Sequence, residues 1–284
     1  MRKTVTTAAL ASALVLTGGA TAQAITGNFT EDFQHEYVGL AVFYNADGTP
    51  SHRCSGSLLT DTVFLTAGHC VTLDDSGTLA ASARVYFEQD VQSLSTYPTS
   101  GGVTSDELYS YGFEGLTIPE TRDVGVLVLD APVTSVYSEV DEFASLAHAG
   151  TLDEYKASHP GNTATMTVSG YGLQYSSNGN PDKAVAVRER LQATTFIIGL
   201  GNALARDYNV QLSANPGAGR GGTCFGDSGG PALVGDTDVV AAVTSFGLNG
   251  ACAGTSYSYR TDTDDVIAFI LQSAGDEADE IVIV

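Results

Sequence analysis

Short apolar runs separated by Gly, Asn, Asp and Ser dominate the chain. In the first half these are Val38–Phe43, Ser57–Leu59, Val63–Thr66, Arg84–Glu88 and Val124–Leu129. In the second half they are Thr163–Ser169, Leu191–Ile198, Pro231–Val234, Val239–Ser245 and Ser256–Arg260. Each has the length and the β-branched or aromatic content of a strand. Many short strands with turn punctuation predict an all-β sandwich or barrel. One stretch, Thr263–Gln272, follows a helical period instead, with Val266, Ile267, Ile270 and Leu271 on one stripe. Asp264 and Asp265 fall in its first turn, where carboxylates suit the helix dipole, and Gly275 follows its end. Pro132–Gly161 reads as a loop-rich connection, and Tyr175–Lys183 and Asn215–Gly222 as surface loops.

The start of the chain has a different pattern. Arg2 and Lys3 precede an apolar run over Ala8–Thr17, and small residues follow to Ala22-Gln23-Ala24. A run of this length is too short for a bilayer, which needs about 20 residues. The layout is that of a secretory signal peptide cut after Ala24 or after Ala22, rather than an uncleaved anchor. The mature protein is therefore expected to be secreted.

Composition narrows the partners. With 12 Lys+Arg against 33 Asp+Glu, the formal charge is −21. A surface so acidic repels phosphates, which excludes nucleic-acid binding by a basic face and docking on anionic membranes. The plain reading of the acid is solubility. Cys54, Cys70, Cys224 and Cys252 are an even set suited to an oxidising destination. Four cysteines allow three pairings, and spacing favours Cys54–Cys70 and Cys224–Cys252. Each closed loop is worth about 3–4 kcal/mol in the chain-entropy model. No metal-ligand spacing of the C-x-x-C kind is present, so no metal and no cofactor are expected.

Chemistry concentrates in three strings. Thr66-Ala67-Gly68-His69-Cys70 places a histidine at a strand end beside a cysteine. Arg122-Asp123-Val124 opens a strongly apolar strand, so Asp123 is expected to be buried and to need a partner for its charge. Gly226-Asp227-Ser228-Gly229-Gly230-Pro231 surrounds a serine with glycines, which let a substrate backbone approach and turn N–H groups outward. A serine hydroxyl needs an adjacent base to attack a carbonyl, a histidine can take and return the proton, and a carboxylate fixes the tautomer. Gly226-x-Ser228-x-Gly230 also fits the nucleophile elbow of α/β-hydrolases. That fold needs its histidine after the serine, whereas His35, His52, His69, His148 and His159 all precede Ser228.

At these residues the sequence resembles the chymotrypsin/trypsin family of secreted serine peptidases. The resemblance extends to Cys54–Leu59, Val168–Gly172, Ser245-Phe246-Gly247 and the terminal helix, from about Ile25 to Gln272. It implies two six-stranded antiparallel β-barrels with a C-terminal helix and a site in the cleft between them. The expected division is a signal peptide over 1–24, a first barrel over 25–134, and a second over 135–284 with the connection and the helix. Carried over by residue, His69, Asp123 and Ser228 are the catalytic triad, and the N–H groups of Gly226 and Ser228 form the oxyanion hole. Ser245 supports Asp123. Ser245, Phe246 and Gly247 form the edge that pairs with substrate.

The resemblance also implies an activation pair and a specificity pocket. Cleavage after Ala24 frees the ammonium of Ile25, which is expected to pair with Asp227. Gly222 stands where the basic-specific enzymes carry an aspartate, so cleavage after Lys or Arg is not expected. Phe225 at the rim and Gly247 on one wall suit apolar or aromatic side chains; Thr255 or Ser256 forms the facing wall. Polypeptides are the expected partners and a monomer the expected state. His35, His52, His148 and His159 are taken as surface residues. Asn28-Phe29-Thr30 fits a glycosylation sequon, and Asp74–Asp75 reads as solvated rather than as a calcium loop. A non-catalytic binding protein on the same scaffold and a small-molecule esterase are the alternative functions.

Overall fold

The structure is a computed structural model describing residues 25–284 except 178–179, 186, 202–205, 216–218 and 249. The signal segment and its two candidate cleavage sites lie outside the described residues, apart from Ile25 itself. Two short N-terminal strands, β1 (Thr26–Gly27) and β2 (Thr30–Glu31), precede the first sheet. That sheet holds β3 (Val38–Tyr44), β4 (Pro50–Leu58), β5 (Val63–Thr66), β6 (Ser82–Tyr86), β7 (Val103–Ser105), β8 (Glu107–Ser110) and β9 (Gly125–Val128). Its order is β7-β6-β3-β4-β5-β9-β8, with every pair antiparallel. β7 pairs with β6 and β8 with β9, so the segment bent at Asp106 nearly closes a barrel. Six strands were expected; the fifth in chain order is split in two at this bend. All seven residues of β3 are buried, because β3 lies between two neighbours and under both the barrel core and the second sheet.

The second half contributes β10 (Ser145–Leu146), β11 (Thr165–Gly170), β12 (Tyr175–Ser177), β13 (Asn180–Val185), β14 (Leu191–Gly199), β15 (Asn209–Ala214), β16 (Gly221–Gly222), β17 (Pro231–Val234), β18 (Val239–Gly247) and β19 (Gly254–Arg260). The path β18-β17-β11-β14-β15-β19 closes on itself through β18–β19 pairing, giving a six-stranded barrel. β14 shows why these sequences form a barrel. Leu191, Ala193, Thr195 and Ile197 point inward and alternate with less buried residues, the period of a strand with one wet face. The inward Thr195 hydroxyl donates to the Ser213 carbonyl at 2.5 Å, so its burial leaves no orphan.

Two expectations need correction. The supposed loop Tyr175–Lys183 contains the hairpin β12–β13 in its described part. Its Ser, Asn and Gly content masked the strand signal. The loop-rich connection also holds a helix, Thr151–Ser158, whose single buried residue is Leu152; a polar surface helix carries no stripe to read. Of Asn215–Gly222, the described end Gly221–Gly222 pairs with β1.

The ends of the chain tie the barrels together. β2 pairs with β14 of the second sheet. The terminal helix Asp264–Ala274 buries Val266, Ile270, Ser273 and Ala274 and packs on β9 of the first. The tail beyond it runs beside β10, with Leu146 and His148 N–H groups donating to Val282 and Val284 carbonyls at 2.8 Å. It thereby covers a sheet edge that would otherwise be open. Both disulfides join the cysteines that spacing favoured, with Cα separations of 6.1 Å for Cys54–Cys70 and 5.2 Å for Cys224–Cys252. Among the described residues no helix is long and apolar enough to cross a membrane.

Candidate active site

His69 sits on a four-residue helical turn, Gly68–Val71, directly after β5. The Cys54–Cys70 disulfide pins that turn to β4. Asp123 lies just before β9, fully buried, under the same turn. Its Oδ1 accepts the His69 backbone N–H at 2.7 Å, and its Oδ2 lies 2.9 Å from His69 Nδ1. Ser245 Oγ, on β18 of the other barrel, donates to Oδ2 at 2.5 Å. Burial alone would raise the Asp123 carboxyl, but the His69 charge and these hydrogen bonds outweigh it and hold the carboxyl below its usual range. Burial would correspondingly lower His69, yet Asp123 lifts it above the ordinary histidine value. With Nδ1 committed to Asp123, the imidazole has Nε2 left for the cleft.

Ser228 lines the same cavity as His69. Its loop cannot be built without glycine. Gly229 has φ +77°, and a Cβ there would lie 2.1 Å from Thr66 Oγ1 and 2.5 Å from the Ser55 carbonyl. Gly226 has φ +99°, and its Cβ would meet Gly172 Cα at 2.9 Å. Neither the Gly226 nor the Ser228 N–H is taken by an acceptor among the described residues, while Asp227, Gly229 and Gly230 N–H groups all are. Asp227 is buried behind the loop, where the Cys224 and Gly172 N–H groups donate to its two oxygens at 2.8 Å. Burial overrides these bonds and pushes its carboxyl up to about 7. Ile25 is also fully buried, and Thr26 beside it pairs with Gly222 on the strand leading into this loop.

A cavity of about 460 Å³ opens beside Ser228. Thr223, Cys224 and Phe225 line one side, Thr244 to Leu248 another, and Cys252, Ala253, Thr255 and Ser256 a third. Among the described residues, His69 is the sole titratable side chain in that lining. Phe246 stacks on Tyr257 at 4.7 Å, and a Cβ on Gly247 would meet nothing within 4 Å. Gly247 lies opposite Ser256 in the β18–β19 register, and Thr255 also reaches the cavity, so both candidates for the facing wall line it. Phe225 is exposed at the rim. Gly222 is buried beside Thr26 and contributes backbone behind the lining rather than a wall.

Sequence reasoning missed the other side of the cleft. A second cavity of about 410 Å³ shares His69, Ser228, Ser245 and Leu116 with the first, and is otherwise lined by His52, Arg53, Cys54, Phe113 and the Thr72–Asp75 segment. The residues before Cys54 carry no motif that flags them. Two histidines taken as surface residues are structural. His35 is buried, with Nδ1 2.9 Å from Asp32 Oδ2, and Asp32 also accepts the Ser169 hydroxyl at 2.5 Å. His52 donates from Nε2 to the Cys70 carbonyl at 2.7 Å and stacks on Phe43. Among the described residues, the cluster of metal-ligating types is Cys54, Cys70 and His69, and both sulfurs are bound in the disulfide.

Comparison with known proteins identifies the family. The trypsin family model matches residues 28–270. Trypsin delta of Drosophila erecta is 28% identical over 227 residues, covering 79% of each chain. The structure of HL collagenase superposes with a TM-score of 0.65 at 21% identity, over 88% of this chain and 97% of that one. A variant of human heparin binding protein superposes with a TM-score of 0.59 at 16% identity, over 88% and 96%. At such identities the structural likeness speaks for the fold, and the family match for the kind of enzyme. The chain belongs to the trypsin family of serine endopeptidases, whose substrates are polypeptides.

Proposed function

We propose that the chain is a secreted endopeptidase that works through Ser228, His69 and Asp123 and an acyl-enzyme intermediate. The observation that carries this is the buried Asp123, which grips His69 at both Nδ1 and the backbone N–H and leaves Nε2 to a cleft shared with Ser228. Ser228 Oγ attacks the scissile carbonyl carbon while Nε2 takes its proton. The carbonyl electrons move onto oxygen, and the N–H groups of Gly226 and Ser228 donate hydrogen bonds to the oxyanion. Each such donor is worth about 3–4 kcal/mol in the transition state. Collapse breaks the C–N bond, and the departing amine takes the proton from Nε2. Water then repeats the sequence on the Ser228 ester and releases the acid. Asp123 stays ionised throughout and stabilises the imidazolium.

The first cavity suits a neutral side chain, apolar or aromatic. Among the described residues its lining offers no carboxylate to a lysine or arginine, and an unpaired buried cation is costly. Activation is proposed to follow release of Ile25. Ile25 has φ +54°, a torsion costly for a β-branched residue, by about 1–3 kcal/mol. That torsion exists only while Ala24 is attached. The buried Asp227 lacks a cation among the described residues, and a freed Ile25 ammonium would supply one. The two disulfides suit an oxidising, extracellular location.

A protein of the same fold can serve as a binding module alone, and an esterase would share the triad. Turnover separates the three: the purified enzyme, starting at Ile25, is expected to cleave casein and an internal peptide bond with an ester-like burst, and Ser228→Ala is not. Ester hydrolysis without peptide cleavage would favour the esterase, and neither would favour the binding module.

A further inference from the structure

The second cavity carries a charge pattern that the reaction itself does not use. An extended chain with its scissile carbon at Ser228 and its acyl side in the first cavity sends its leaving side toward the second, because the two share His69, Ser228, Ser245 and Leu116 and otherwise have different walls. Arg53 is one of those walls. It lies on β4 opposite Val42, half-buried, and its Nε is buried without a hydrogen-bond partner. Arg188 is near enough for its charge to act on Arg53; its guanidinium lies 5.1 Å from the centre of the Tyr97 ring, its Nη1 donates to Gln92 Oε1 at 3.5 Å, and its Nε is likewise buried and unpartnered. Neither arginine has an ion pair among the described residues, although acids outnumber bases 33 to 12 in the chain. Burial lowers the Arg53 pKa, and the repulsion from Arg188 adds to that. A guanidinium on the cavity wall, with a second guanidinium acting on it and no counter-charge among the described residues, suits a carboxylate.

We infer that Arg53, reinforced by the charge of Arg188, forms a subsite for a carboxylate on one of the two residues that follow the scissile bond, so that the enzyme prefers Asp or Glu there. This inference rests on the peptidase reading above. Asp74 and Asp75 also line the second cavity but are exposed, and Asp74 is already engaged by the Ser76 hydroxyl and by Ser76 and Thr78 N–H groups. Solvated carboxylates act weakly at a distance, whereas half-buried guanidinium groups keep more of their field. His52 adds no charge, since burial holds its pKa below the ordinary value.

The test uses peptides identical up to the scissile bond, with Glu, Gln or Lys at the first or second position beyond it. For at least one position, kcat/KM is expected to be about tenfold higher with Glu than with Gln, and lower still with Lys. The Glu preference should shrink as salt rises. It should collapse toward unity in Arg53→Gln and Arg188→Gln and survive in part in Arg53→Lys, each checked for an unchanged melting profile. Equal constants for Glu and Gln, a preference for Lys, or a Glu preference untouched in both Gln variants would overturn the subsite. Binding of the same peptides to Ser228→Ala reads the subsite without turnover. Glu-selective binding together with no hydrolysis by the wild type would sink the peptidase reading and leave the anion site standing. Hydrolysis with no Glu selectivity would do the reverse.

Discussion

Ser245 Oγ lies 2.5 Å from Asp123 Oδ2 and joins the second barrel to the buried carboxylate of the first. Asp123 thus receives three donors, two from His69 and one from Ser245. The carboxylate fixes the histidine tautomer, and the serine fixes the carboxylate. Asp123→Asn should lower kcat by a factor on the order of 10⁴ at neutral pH, because an amide presents the wrong group to Nδ1. Ser245→Ala removes one charge-assisted bond and should cost roughly tenfold. Steady-state kinetics on one peptide compares the two; equal losses would contradict this division of roles.

The pH profile follows from the same contact. In the proposed mechanism His69 acts as a base only when neutral, and Asp123 raises its pKa above the ordinary 6.5. Consequently kcat/KM should climb with pH through a midpoint above 6.5. In Ser245→Ala, which weakens the grip on Asp123, the midpoint should shift without disappearing. A wild-type midpoint well below 6.5 would show that Asp123 does not raise His69.

Asp227 gives a stability prediction that depends on the start of the chain. Its carboxyl is pushed up to about 7, against an ordinary value of 3.8. Between those pH values the folded chain holds a proton that the unfolded chain has lost, so stability falls as pH rises from about 4 to about 7. The loss amounts to about 4 kcal/mol at neutral pH. This applies while residues precede Ile25. A chain beginning at Ile25 should keep that stability, since its ammonium can pair with the ionised carboxylate. One extra residue before Ile25 should also remove most activity. Urea unfolding at pH 4.5 and 7 for the two forms, with their specific activities, checks both statements.

Specificity in the first cavity should exclude basic side chains. In a peptide library, cleavage is expected after Phe, Tyr or Leu, with Arg and Lys at least a hundredfold poorer. About 3 kcal/mol for an unpaired buried cation sets that ratio. Cleavage chiefly after Arg or Lys would mean that a carboxylate reaches the pocket.

Much of this was legible in the sequence, and the exceptions have physical causes. Runs such as Val63–Thr66 and Pro231–Val234 match the observed strands at both ends, because apolar content and turn residues both mark them. The helix over Asp264–Ala274 was readable from its stripe and its acidic first turn. Asp123 declared its burial by opening an apolar strand. The polar hairpin β12–β13 and the helix over Thr151–Ser158 escaped, since neither has a strong apolar face. His35 and Asp32 were missed because a buried hydrogen-bonded pair of polar side chains leaves no periodic trace. Arg53 and Arg188 lie far apart in the chain, so only the folded barrels bring their charges together.

The measurement closest to the central claim is covalent labelling by a fluorophosphonate, mapped by mass spectrometry. The native enzyme should take up one label, on Ser228. His69→Ala should slow that reaction by several orders of magnitude, and Ser228→Ala should abolish it. An unlabelled native enzyme, or a label carried equally by Ser228→Ala, would contradict Ser228 as the nucleophile.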